Sequence, residues 1–116
     1  MDHEGVVLHV SDISDVSAGQ HTKALGAEIV KADGSITVKQ RSDNDEALDF
    51  GSTLVLVLAA PAVVKLASAI YAYMKRAGVR VEIVEDGRRI QLHGLDSEDI
   101  AKAIEAARGA PKTKWR

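Results

Sequence analysis

Apolar and polar positions alternate most plainly near the end of the chain. Val79, Val81 and Ile83 alternate with Arg80 and Glu82, and Ile90 and Leu92 alternate with Arg89 and Gln91. Asp86-Gly87 lies between the two runs and supplies the positive φ that a tight turn between twisted strands needs, so 79–92 is predicted to be an amphipathic β-hairpin. A period of about 3.6 follows. Asp96 is placed to cap a helix with Glu98 and Asp99 in its first turn and Ile100, Ala103, Ile104 and Ala107 as its apolar stripe. Gly109 and Pro111 end that helix.

The middle of the chain has little alternation. From Gly51 to Met74, Lys65 is the only charged residue in twenty-four. Pro61 disfavours helical geometry at Ala60 but suits a first helical turn, so the run should break there. Thr53–Leu58 then reads as a buried strand or a first helical piece, and Pro61–Arg76 as a helix that is apolar nearly all round. Ala77-Gly78 provides its stop, with Lys75 and Arg76 at the negative end of its dipole. Unbroken, the run would extend about 36 Å as a helix, against a bilayer core of roughly 30 Å. Lys65 near its centre would cost roughly 2.5–3.5 kcal/mol in a membrane. The surface candidates are therefore Val63, Lys65, Leu66, Ile70 and Tyr73, for a protein partner or, alternatively, for a membrane.

In the first half, Val6–Val10 reads as a strand ending at Ser11-Asp12. Asp12–Gln20, rich in Ser, Asp and Gly, reads as a loop. Ala27–Lys31, Asp33-Gly34 and Ser35–Lys39 together read as a second hairpin. Arg41–Asp49 reads as an acidic connector. The expected class is α+β: a small sheet of β-hairpins covered by one long apolar helix and a C-terminal amphipathic helix. Residues 1–110 form one domain, and 111–116 are a short basic tail.

At 116 residues the chain can bury a core without staples, and the absence of cysteine excludes disulfides, thiolate metal sites and cysteine nucleophiles. The start Met1-Asp2-His3-Glu4 lacks a basic segment leading into an apolar one, so no signal peptide is expected. A cytoplasmic location is the expectation, and inner-membrane association the alternative. The net charge of −2 conceals two unlike halves, with ten acids and four bases in 1–50 and seven acids and eleven bases in 51–116. The bases are dispersed and there are four aromatics, with only Trp115 inside a basic cluster. That pattern favours self-complementary packing over nucleic-acid binding.

Catalytic chemistry finds no footing. His3 and His21 lack a histidine or carboxylate partner at the i, i+3 or i, i+4 spacing of a helical metal site. His9 and His93, each three residues before an aspartate, lie near strand ends, where a structural histidine is the commoner fate. Asp43, Asp45, Glu46 and Asp49 cluster, but without the glycine and terminal glutamate of a calcium loop. Asp49-Phe50-Gly51 repeats a kinase trio in a chain that has neither the glycine-rich nor the catalytic loop of a kinase. There is no Gly-x-Gly-x-x-Gly, phosphate-binding loop or Gly-x-Ser-x-Gly. No catalytic, cofactor or metal residues are expected.

The order of elements in 49–108 carries a resemblance. A Gly-and-acid preface leads into a long apolar helix ending in Lys75-Arg76. The hairpin from Val79 to Leu92 follows, and then a capped helix from Leu95 to Ala107. This resembles the effector-associated constant component family of bacterial conflict systems, small non-enzymatic proteins encoded beside variable effectors such as peptidases and regulatory NTPases. The resemblance implies a self-associating or effector-binding role without cofactors. Two features depart from the family. Its first half has a strand and then a helix, where Ser11–Gln20 reads as loop; its long helix is interrupted by glycines, where this chain has Ala59-Ala60-Pro61.

Overall fold

The computed structural model describes residues 4–12, 15–41, 52–85 and 88–109. Its elements run β1 (Glu4–Ser11), α1 (Asp15–Ala32), β2 (Thr37–Arg41), β3 (Thr53–Leu58), a 3-10 turn (Ala60–Ala62), α2 (Val63–Ala77), β4 (Arg80–Glu85), β5 (Arg88–Gln91) and α3 (Ser97–Gly109). The five strands form one antiparallel sheet in the order β2-β3-β1-β4-β5. Apart from the 3-10 turn, the elements from β1 to β4 thus follow the β-α-β-β-α-β order of the ferredoxin-like plait, with β5 added at one edge of the sheet and α3 packed against α2. The α+β class holds, but the sheet is not assembled from hairpins alone. β1 lies at its centre, paired with β3 and β4, both distant in sequence.

Alternation sorts the strands into two faces. Val6, Leu8 and Val10, Leu54, Leu56 and Leu58, and Val81 and Ile83 all turn to one side and are at most 2 % exposed. The buried residues of all three helices join them in a single core. From α2 come Val63, Leu66, Ala67, Ile70, Tyr73 and Met74, at the i, i+3, i+4, i+7 spacing of a helix packed along one stripe.

The break at Pro61 is present. Ala59 is extended, Pro61 sits in the 3-10 turn, and α2 begins two residues later. Gly78, at φ 75°, closes α2 in the left-handed conformation, and its N–H donates to the Met74 carbonyl at 2.9 Å. The run 51–74 is therefore a strand followed by a helix. The 15 residues of α2 reach about 22 Å, short of a bilayer core of about 30 Å. Among the described residues no helix is long and apolar enough to cross a membrane.

Two expectations for the first half are corrected. Residues 15–32 form one helix, where a loop and then a strand were expected. Its inward positions are Ala18, Thr22, Leu25 and Ile29, spaced as one helical stripe. Ile29 and Val30 look like strand residues locally, but α1 turns Ile29 into the core and leaves Val30 46 % exposed. Tertiary burial along the stripe outweighs local β-propensity. Asp33-Gly34 does make a turn, between helix and strand rather than between two strands. The Ser35 hydroxyl and amide both donate to Asp33 Oδ1, at 2.7 and 2.9 Å, and these bonds hold the carboxyl below its ordinary 3.8.

The 79–92 hairpin and the capped last helix stand as read. The β4–β5 register pairs Glu85 with Arg88 and Ile83 with Ile90, and Asp96 Oδ1 accepts from the Asp99 amide at 2.8 Å. The Asp86-Gly87 turn, His3, the acidic connector beyond Arg41, Asp49-Phe50-Gly51 and the basic tail lie outside the described residues.

Candidate functional site

Four of the five surface candidates face inward. Val63, Leu66, Ile70 and Tyr73 are 0–6 % exposed and pack inside the chain, so a partner cannot reach them in the folded monomer. Lys65 alone is exposed. The outer face of α2 is instead Val64 (67 % exposed), Lys65, Ser68, Ala72, Lys75 and Arg76. An all-apolar reading of the helix missed this split, although Lys65, Ser68, Ala72 and Lys75 mark the outer stripe at helical spacing. With α1 this face forms a shallow groove of about 390 Å³, floored by Ala32, Ala69 and Ala72 and edged by Glu28, Lys65 and Arg76.

The densest polar chemistry joins β1, α1 and α2. His21 of α1 shares a hydrogen bond of 2.6 Å between Nδ1 and the Tyr73 hydroxyl of α2. Its other nitrogen, Nε2, lies 3.5 Å from Oδ2 of Asp12, which follows β1, and the Ser17 hydroxyl donates to that same oxygen. A proton on Nε2 satisfies both ends: Nε2–H points to the carboxylate, and Nδ1 accepts from the phenol. The Arg76 guanidinium sits 5.1 Å over the Tyr73 ring and 3.9 Å from Glu28. Burial raises the Tyr73 phenol above its ordinary 10.0, while the Arg76 cation opposes the shift.

Carboxylate, imidazole and hydroxyl in sequence have the outline of a nucleophile relay. Here the terminal hydroxyl is a phenol, on a residue 6 % exposed, and it is already bonded to the imidazole at 2.6 Å. The geometry ties α2 to α1 through the buried Tyr73 and the half-buried His21, and sets the exposed Asp12 at the end of β1 beside the outer imidazole nitrogen. No local pattern marks it along the chain, since His21 and Tyr73 are 52 positions apart.

Of the other histidines described, His9 is half-buried on the sheet and His93 is exposed beside a groove lined by Tyr71, Met74, Lys75 and Leu95. The Lys75 ammonium stands 5.7 Å over the Tyr71 ring there. Among the described residues no three His, Asp or Glu side chains gather as metal ligands would.

The sheet has a second surface, turned away from the helices. One row across the strands reads Lys39, Val55, Val7, Val84, Arg89, each residue opposite the next in register. Val57 adjoins the row on β3, beside Gly5. The valines are half-exposed, and Lys39 and Arg89 are exposed. The signal for this surface was the unbroken apolar run Leu54–Leu58, which leaves valine where a one-sided strand would place polar residues.

Comparison with known proteins adds no relative: no protein family, no curated protein and no solved structure matches the chain.

Proposed function

We propose that this protein is a non-catalytic interaction component of a bacterial defence or signalling assembly, working in the cytoplasm without a cofactor. Its role is to hold an effector protein such as a peptidase or a regulatory NTPase, or to associate with further copies of itself. The observation that carries this reading is the order of elements: a long apolar helix ending in Lys75-Arg76, the hairpin at 80–91 and the capped helix at 97–109. Helix α1 supports it further, because a helix after the first strand is what the effector-associated constant component family has at that place.

The test is co-expression with the effector proteins encoded beside it, followed by size-exclusion light scattering. A stoichiometric complex is expected. Hydrolytic or transfer activity of the isolated chain, lost in His21→Ala but kept in a variant altered on the α1–α2 groove, would count against the reading.

A further inference from the structure

The sheet surface opposite the helices is built to receive something narrow, apolar in the middle and acidic at its sides. Three valines, Val55, Val7 and Val84, lie side by side on adjacent strands, and a base closes the row at each end. Strands stand about 4.8 Å apart, so the valine band is about 10 Å wide and the two bases are about 19 Å apart. An α-helix with its side chains is about 10–12 Å across. Laid along the strands, it covers the band and brings its flanks over Lys39 and Arg89.

From this match we infer that the open sheet face is the docking surface for an amphipathic helix of a partner protein, one whose apolar stripe is bordered by Asp or Glu. The inference rests on the interaction role proposed above and names its surface. Charge selects the occupant. Lys39, Arg80 and Arg89 are exposed on this face and Glu82 is half-buried there, bonded to Arg89 at 2.9 Å, so these groups carry an excess of positive charge. Thr53, fully buried, ends the apolar band beside Val55.

A second copy fits less well. Two such sheets packed face to face in alignment set Lys39 over Arg89 when the two-fold axis runs along the strands, and Lys39 over Lys39 when it runs across them. Both place base on base around the valines. Nucleic acid lacks its usual platform, because the described strands carry no Phe, Tyr or Trp on which a base could stack.

Isotope-labelled protein titrated with an eighteen-residue helical peptide, with a Leu stripe bordered by Glu, tests the surface by NMR. Saturable shifts confined to Val7, Val55, Val84 and their neighbours are expected. Lys39→Glu and Val55→Thr should each weaken binding about tenfold, and so should replacing the peptide's Glu by Lys. Lys39 is exposed, so its variant reports on charge even if the valine change disturbs the sheet. Equal binding of both peptides, or shifts on the α1–α2 groove instead, would overturn the inference. So would three other occupants: a dimer abolished by Val55→Thr, an oligothymidine giving the same shifts, or peptide binding that appears only after Asp43, Asp45, Glu46 and Asp49 are neutralised. An effector retained equally by wild type, Lys39→Glu and Val55→Thr sinks the surface and leaves the adaptor role standing. An effector never retained, with the peptide still bound, does the reverse.

Discussion

The two faces of the sheet are made from the same strands and nearly the same residue types, yet they bear different loads. On β3, Leu54, Leu56 and Leu58 are at most 1 % exposed under the helices, while Val55 and Val57 between them stay half-exposed. One face is filled by the chain itself, and the other keeps its apolar surface uncovered by any of the three helices. Hydrophobicity alone therefore does not tell a core strand face from a docking face. What separates them, among the described residues, is whether helices of the chain lie over them.

The sharpest way to break this comparison is to shorten one residue on each face. Leu56→Ala, or Ile70→Ala beneath it in the core, should destabilise by about 2–5 kcal/mol in chemical denaturation. Val55→Thr should change stability by no more than about 0.5 kcal/mol, as at an ordinary surface position. Equal losses would mean that the second face is also covered.

The helix-covered face depends on how closely α1 approaches it. A Cβ on Gly26 would meet the Val38 side chain at 3.2 Å and Leu54 at 3.5 Å. Gly26→Leu should thus cost about 1–3 kcal/mol through overpacking. Gly26→Ala should come out near neutral, since a helix gains up to about 1 kcal/mol on losing a glycine and the tight contact offsets it. A well-tolerated leucine, seen as an unchanged melting curve, would show that α1 sits further from the sheet.

A third measurement sharpens the contrast at the polar seam. Tyr73→Phe removes the hydroxyl bonded to His21 and should cost about 0.5–1.5 kcal/mol at neutral pH. Because burial raises the phenol's pKa in the folded state, its proton stabilises the fold fully below the ordinary 10.0, and that part is lost as pH rises through the raised value. Wild type should lose more stability than Tyr73→Phe between pH 9 and 12, read by denaturant titration. Parallel declines would place the phenol in water. The smallest effect concerns α3: Asp96→Ala removes the bond to the Asp99 amide and should cost about 1 kcal/mol without altering the sheet.

How much of this was legible in the sequence depended on whether neighbours in sequence were neighbours in space. β4, β5 and α3 could be read because alternation, an Asp-Gly turn and a capping Asp are local signals, and the pairing partners follow one another. Helix α1 was hidden by its own composition. Gly19 and Gly26 permit close packing but weaken the helical pattern, and Thr22, at the centre of the inward stripe, is polar. The core accepts Thr22 because its hydroxyl donates to the Ala18 carbonyl at 2.7 Å, a bond that the pattern does not announce. Four of the five candidates on α2, all but Lys65, lie on its apolar stripe, and nothing in that stripe says that the rest of the chain already occupies it. Of the valine row only the β3 part left a trace, in the unbroken apolar run Leu54–Leu58, since the row crosses three strands and exists only once their registers are set.

The central place of β1 also sets a schedule. This strand is made before both of its neighbours, and the second, β4, is complete only at Glu85. At ribosomal speeds of about 5–20 residues per second, the β3 edge of Val6–Val10 waits about 2–10 s for its partner and the β4 edge about 4–15 s. Closing two such distant pairings is slow relative to local helix formation, and an unpaired apolar strand invites pairing with another chain. The newly made protein is thus most exposed to misassembly during synthesis, and removing β4 would leave that edge of β1 permanently unpaired.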